Sequence, residues 1–191
     1  MVLEFKVVII GSVAVGKTAL TNRIQYAQFE DEYQATIGAG YIPYRTKFED
    51  TFVELQIWDT AGMERYKSLG PIYYRDASCA IIVYDQSAQE TADAVPKWLE
   101  AFRETVKTLA YIVVVGNKDD LENKVVQNDE IREWAKENEF DFFLTSAKTG
   151  KNVNELFSTV VSKLVKTTSA PVVKTSDDVH LSEGNKQKSC C

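Results

Sequence analysis

The sequence predicts an α/β fold, a doubly wound six-stranded sheet that is mainly parallel, with one antiparallel edge strand and about five helices. Three observations predict it. Residues 5–10, Phe-Lys-Val-Val-Ile-Ile, form a nearly continuous apolar run rich in β-branched side chains, and a glycine-bearing loop carries it into the helix-patterned stretch 19–24. Such a run suits a strand buried on both faces of a parallel sheet. Beyond residue 76, apolar runs alternate with amphipathic ones, the pattern of strands joined by helical crossovers. Between these regions, residues 41–47 and 52–58 flank the short turn 48–51, and so short a link dictates an antiparallel pair. Pro43 inside the first of the two assigns that strand to the sheet edge, because proline cannot donate to a ladder.

The first loop carries the chemistry. Gly11-Ser12-Val13-Ala14-Val15-Gly16-Lys17-Thr18 reads as G-x-x-x-x-G-K-[ST], in the strand–loop–helix context that this motif requires, and it makes the predicted fold that of a P-loop NTPase. Backbone N–H groups from Ser12 to Ala19 and the positive end of the following helix dipole converge on phosphates, and glycine lets the backbone approach closely. Lys17 is expected to neutralise the outer phosphates, and the Thr18 hydroxyl to ligate Mg²⁺.

The remaining elements follow in order. Residues 26–38 are polar, lack sustained periodicity and read as a mobile loop. After the hairpin, Asp59-Thr60-Ala61-Gly62 reads as a second loop, followed by a helix-patterned stretch over 64–74. Strands are expected over 79–84, 111–115 and 140–144, and helices up to about residue 107, over 128–138 and over 153–166. Pro96 clashes with a helix interior, so the helix ending near residue 107 should start late, with Asp93 as its cap, or kink. Residues 1–166 thus make one domain. Residues 167–191 are poor in apolar side chains and are expected to be a disordered tail.

Composition narrows the function. Of the 191 residues, 45% are hydrophobic and 26% charged, ordinary for a soluble globular domain. A net charge of −6 repels nucleic-acid backbones, so no nucleic-acid partner is expected. No apolar run is long enough to span a bilayer, Glu4 and Lys6 break up any signal peptide, and Val2 fails the myristoylation pattern. Cys79 reads as a small buried hydrophobe, and the three cysteines make neither a disulfide framework nor a zinc site, which favours a reducing cytosolic compartment. The single histidine, His180, lies in the tail, which argues against His-based nucleophilic catalysis.

Asn117-Lys118-Asp119-Asp120 follows the strand ending at Val115 and resembles N-K-x-D, the guanine signature of the Ras superfamily. A carboxylate at Asp120 accepts two hydrogen bonds from guanine N1 and N2, a donor pair that adenine lacks, so the pattern selects GTP/GDP over ATP. Ser146-Ala147-Lys148 resembles the second base-contacting element of that superfamily, and Phe29 matches the aromatic at the guanine edge. The resemblance adds Tyr33 and Thr36 to the nucleotide contacts, and Thr18, Thr36 and Asp59 as the Mg²⁺ set.

Within the superfamily the chain is most similar to the Rab family. Trp58-Asp59-Thr60-Ala61-Gly62, Ile37-Gly38-Ala39-Gly40-Tyr41 and Tyr73-Tyr74-Arg75-Asp76-Ala77 resemble Rab segments, the last with Asp76 in place of glycine. Ile37-Gly38-Ala39 and Glu64-Arg65-Tyr66-Lys67-Ser68-Leu69 resemble the early-endosomal branch. The resemblance implies effectors that read Ile37 and an aromatic triad of Tyr41, Trp58 and Tyr73. It also implies a guanine exchange factor, a GTPase-activating protein, a GDP-dissociation inhibitor and escort-type proteins, acting on a monomer. Cys190-Cys191 resembles the Rab double-cysteine acceptor of two geranylgeranyl groups. Two lipids are needed because one chain gives only marginal membrane attachment. The tail supplies no polybasic substitute, since Lys174, Lys186 and Lys188 are matched by Asp177, Asp178 and Glu183. The implied location is the cytoplasmic face of endosomal membranes, exchanging with cytosol.

The resemblance also implies a mechanism. Thr36 closes over Mg²⁺ and the γ-phosphate, Gly62 donates a backbone N–H to that phosphate, and loss of the phosphate releases both loops. Two catalytic positions depart from the pattern. Met63 stands where the family places the glutamine that orients the attacking water, and a thioether offers no donor and a weak acceptor. Val13 stands where relatives carry glycine or a small residue, and its branched side chain would crowd the γ-phosphate. Slow GTP hydrolysis is therefore expected, and the alternative is a GTP-binding effector scaffold that hardly hydrolyses at all.

Overall fold

A computed structural model of the chain describes residues 2–30, 36, 38–62 and 70–169. Among these, six strands form one sheet in the order β2-β3-β1-β4-β5-β6: β1 Val2–Gly11, β2 Ala39–Phe48, β3 Thr51–Thr60, β4 Cys79–Asp85, β5 Tyr111–Asn117 and β6 Asp141–Leu144. Only the β2–β3 pair is antiparallel, which leaves β2 with Pro43 on the edge, as the short turn and the proline require. β1 lies between β3 and β4, parallel to both, so the strand that feeds the phosphate-binding loop sits at the centre.

Alternation along each strand splits the core in two. Val7 and Ile9 of β1, with Ile81 and Val83 of β4 and Val113 and Val115 of β5, join a cluster closed by α1 (Lys17–Tyr26) and α6 (Val153–Ser169). Val8 and Ile10, with Ala80, Ile82, Ile112 and Val114, point to the other face and pack under α4 (Val95–Thr105), with Ala135 of α5 (Asn128–Glu137) joining them. The fully apolar runs seen in the sequence are thus strands covered on both faces. No helix among the described residues is long and apolar enough to cross a membrane.

Several boundaries differ from expectation. Asp59 and Thr60 belong to β3 and not to a loop, because β3 stays paired with Ala39 and Gly40 to its end. The expected late start at Asp93 is replaced by two segments, α3 (Gln89–Asp93) and α4, separated at Ala94. Asp93 ends α3 and caps nothing, while Pro96 lies in the first turn of α4, where its missing N–H would have had no acceptor in the helix. Counting α3 and α4 as one interrupted helix gives the five expected; α4 ends at Thr105, two residues early. α2 covers only Gly70–Tyr74, and the rest of the stretch expected to be helical, 64–69, lies outside the described residues. β6 starts at Asp141 instead of Phe140, and α6 runs to Ser169, into the stretch expected as tail. The remainder of that tail, with His180, lies outside the described residues.

Gly116 is where the sheet leaves no room. A Cβ there would lie 2.5 Å from the Tyr84 hydroxyl and 2.8 Å from Leu144 Cδ2, and Tyr84 is fully buried with its hydroxyl donating to Asn128 Oδ1 at 2.6 Å. Gly116→Ala is expected to destabilise the domain by about 1–3 kcal/mol through overpacking. The denaturant midpoint measures it, and an unchanged midpoint would show that Tyr84 can move.

Candidate functional site

The loop between β1 and α1 is shaped by backbone that few side chains tolerate. Gly16 has φ +94°, and a Cβ on it would sit 2.3 Å from Asn117 Nδ2. Ala14 adopts the left-handed region as well, at φ 61°, a conformation that strains a residue bearing a Cβ. No side chain caps α1, so the helix presents its first N–H groups and the positive end of its dipole to the loop. An anion fits that cradle.

Lys17 opens α1 and folds back over the loop. Its ammonium donates to the Gly11 carbonyl at 2.9 Å and the Ser12 carbonyl at 2.7 Å, with only 6% of the residue exposed. Burial pulls its pKa down to about 8, against the opposing pull of Asp59. A buried cation so placed favours a polyanion beside it. Val13, in contrast, is 45% exposed, and its branched side chain stands out from the loop instead of joining the core.

The expected metal-binding set is assembled. Thr18 Oγ1 donates to Asp59 Oδ2 at 2.5 Å and shares a 2.8 Å hydrogen bond with Thr36 Oγ1. Asp59 Oδ1 is buried with no partner among the described residues, and burial pushes the carboxyl pKa up. An orphaned buried carboxylate oxygen beside two hydroxyls is a donor set for a hard cation such as Mg²⁺. Gly62 packs against the loop so closely that a Cβ would lie 2.4 Å from the Ser12 carbonyl oxygen. Tyr33, Ile37 and Met63 lie outside the described residues.

On the far side of the loop, Asn117 joins three segments. Its Nδ2 donates to the Val15 carbonyl at 2.9 Å, and its Oδ1 accepts from Ala147 N and Thr145 Oγ1, both at 3.2 Å. Ser146 Oγ donates to Asp120 Oδ1 at 2.6 Å, and Asp120 is exposed. Lys118 has φ 66° and pairs with Asp85 Oδ2 at 2.6 Å. Phe29 is partly buried against the core cluster that Ala147 joins. The structure therefore brings together Ser12 to Ala19, Thr36, Asp59, Gly62, Asn117, Lys118, Asp120 and Ser146 to Lys148.

Sequence reasoning missed the support beneath these residues. Asp85 anchors Lys118, and its pKa is lowered despite burial by the hydrogen bonds from Lys118 and Ser87. Fully buried Gln86 donates to the Gly116 carbonyl at 3.1 Å and accepts from Asn128 Nδ2 at 2.9 Å. The available signal was two polar residues, Asp85 and Gln86, directly after the apolar run 79–84. Asp119, the variable position of N-K-x-D, pairs with Lys124 at 2.6 Å and with Lys151. Of the residues expected to be read by effectors, Tyr41 meets Trp58 edge-on at 5.6 Å and Trp58 tilts against Tyr73 at 6.1 Å. Cys79 is fully buried, as expected, and Cys190 and Cys191 lie outside the described residues.

The model of the Ras family matches residues 6–166. Across the whole chain, the sequence is 39% identical to the Ras-related protein Rab-5A of Dictyostelium discoideum, covering 96% of that relative.

Because Lys17 titrates near 8 when folded and at its ordinary 10.5 when unfolded, the unfolded chain binds more protons between those values. The Lys17 contribution to the stability of the nucleotide-free protein is therefore lowest below the window and rises through it, by on the order of 3 kcal/mol, against the fall with pH that the raised pKa values of buried Cys79 and Tyr84 impose. Lys17→Met is expected to remove that rise. Denaturant unfolding of nucleotide-stripped protein on either side of the window checks it, and equal pH slopes would refute a buried ammonium.

Proposed function

The chain belongs to the Ras family as a Rab small GTPase of the early-endosomal branch, and from that premise we propose that it is a membrane-bound switch for vesicle traffic that hydrolyses GTP slowly. GTP/GDP and Mg²⁺ binding and GTP hydrolysis come with the family, as do exchange factors, activating proteins, a GDP-dissociation inhibitor and effectors. The observation that carries the site assignment is the cluster of Thr18, Thr36 and Asp59, with Asp59 Oδ1 unpartnered among the described residues, near buried Lys17.

In this reading Ser12 to Ala19 cradle the phosphates, and Thr18, Thr36 and Asp59 hold Mg²⁺, which supplies neutralisation of phosphate charge. Lys17 exchanges its two carbonyl acceptors for phosphate oxygens. Gly62 offers its N–H to the γ-phosphate from a position where any side chain would strike Ser12. Phe29, Tyr33, Asn117, Lys118, Asp120, Ser146, Ala147 and Lys148 enclose the guanine base. Thr36 ties the first switch to Thr18, while Ile37, Tyr41, Trp58 and Tyr73 present the state to effectors. Geranylgeranyl groups on Cys190 and Cys191 attach the switch to endosomal membranes, and escort-type proteins deliver it.

Hydrolysis adds water to the γ-phosphorus as the bond to the β–γ bridging oxygen breaks, releasing GDP and phosphate. Met63 has no group to orient that water, and the exposed, branched Val13 would crowd the γ-phosphate and the space an arginine finger needs. The loss is on the order of 1–3 kcal/mol in the barrier, roughly 5- to 150-fold in rate, and the two residues act on one event, so their effects do not add. Single-turnover hydrolysis is expected to speed up by such a factor in Met63→Gln. Equal rates would overturn slow turnover through Met63. No measurable turnover in either protein, with GTP still bound after purification, would favour an effector scaffold held on.

A further inference from the structure

We propose that Arg23 is a positioning residue for the guanine pocket, clamping both of its walls and so setting how long the nucleotide stays bound. The inference rests on the proposed base site. Arg23 lies in α1, on the side of that helix that faces the loop between β6 and α6. Its Nε donates to the Ala147 carbonyl at 2.7 Å and its Nη2 to the Lys148 carbonyl at 2.5 Å. Its Nη1 donates to the Ala27 carbonyl at 2.8 Å. One guanidinium thus binds three main-chain carbonyls from two segments more than a hundred residues apart in sequence.

Those segments are the two walls. Ala27 ends α1 in the left-handed region at φ 55°, with its N–H donating to the Arg23 carbonyl at 3.1 Å. Arg23 therefore holds the Ala27 residue through both its N–H and its carbonyl, and Ala27 aims the chain toward Phe29. On the other wall, the N–H of Ala147 is fixed by Asn117 Oδ1 and its carbonyl by Arg23. Ala147 is thus gripped from two directions, once by the N-K-x-D asparagine and once by α1. Arginine suits this role, because its planar fork reaches several acceptors at once, whereas a lysine ammonium could satisfy these dispersed carbonyls only in part. Charge-assisted bonds of this kind are the stronger class.

The test is release of a fluorescent GDP from the full chain, its Arg23→Lys variant and its Arg23→Gln variant, repeated with the inosine analogue IDP, which lacks the 2-amino group that Asp120 would read. Release of GDP is expected to quicken roughly tenfold or more in Arg23→Gln, with Arg23→Lys between it and the parent. The advantage of GDP over IDP in residence time should shrink as well, since the clamp acts on the base and not on the phosphates. Unchanged release in folded variants, judged by circular dichroism, would overturn the proposal. So would an equal quickening for GDP and IDP, which marks a general loss of stability. A parent chain that holds no guanine nucleotide would instead overturn the proposed function and this inference with it.

Discussion

The site depends first on the side chain of Asn117. It is 1% exposed, and it spends both of its polar atoms on other segments of the site: the amide on the carbonyl of Val15 in the phosphate-binding loop, the oxygen on Ala147 and Thr145 past β6. A buried amide that loses such partners costs about 1–3 kcal/mol per unsatisfied group, so each segment is pinned by the others. This explains why Gly16 is glycine: the asparagine stands where its Cβ would go. Phosphate and base recognition are therefore one construction, joined at the end of β5, between β4 and β6.

Around that joint the electrostatics are deliberately unbalanced. Lys17 is buried with two carbonyls as its acceptors, α1 begins without a side-chain cap, and Asp59 keeps one oxygen buried with no partner among the described residues. Each of these is a local cost of order a kcal/mol or more that a bound polyanion and a divalent cation would relieve. Elsewhere charges are paired, as in Lys118 with Asp85 on the base side and Arg45 with Glu54 in the β2–β3 hairpin, both at 2.6 Å. The mismatch at Lys17, at the start of α1 and at Asp59 falls where phosphate and metal are proposed to bind.

The division between what sequence revealed and what it hid follows from range. Strand type, sheet order at the edge and the phosphate-binding loop are local patterns, and Val7–Ile10, Pro43 and Gly16-Lys17-Thr18 announced them. Pro96 was legible as a disturbance but not as a break, because whether a helix starts late or splits depends on the turn at Asp85, Ser87 and Thr91, where the Thr91 hydroxyl accepts from Asp85 N at 2.9 Å. The supports under the base site were hidden for the same reason. Arg23, Asp85 and Gln86 carry no motif, and the partners that tie them to the site, Lys148, Lys118 and Gly116, lie 30 to 125 residues away. Asp59 and Thr60 were misread as loop because polar residues normally end strands; here pairing with Ala39 and Gly40 continues regardless.

That extra length of β3 is what can couple nucleotide to surface. Successive strand residues face opposite sides. Asp59 is buried against Thr18, while its neighbour Trp58 lies on the outer face between Tyr41 and Tyr73, with the Lys6 ammonium 4.8 Å above its ring. Beyond them Ala61 N donates to the Gly38 carbonyl at 2.8 Å, tying the end of β3 to the segment that carries Thr36. A change at the Asp59 oxygen proposed to serve the metal therefore has one peptide unit to cross before it reaches the aromatic surface. Register makes the arrangement strict, since a slip of one residue would put the tryptophan in the pocket and the aspartate on the outside. With Tyr41 held opposite Trp58 and Gly40 opposite Asp59, the hairpin fixes that register, and the proline at its edge leaves the ladder intact because its missing N–H faces away from β3.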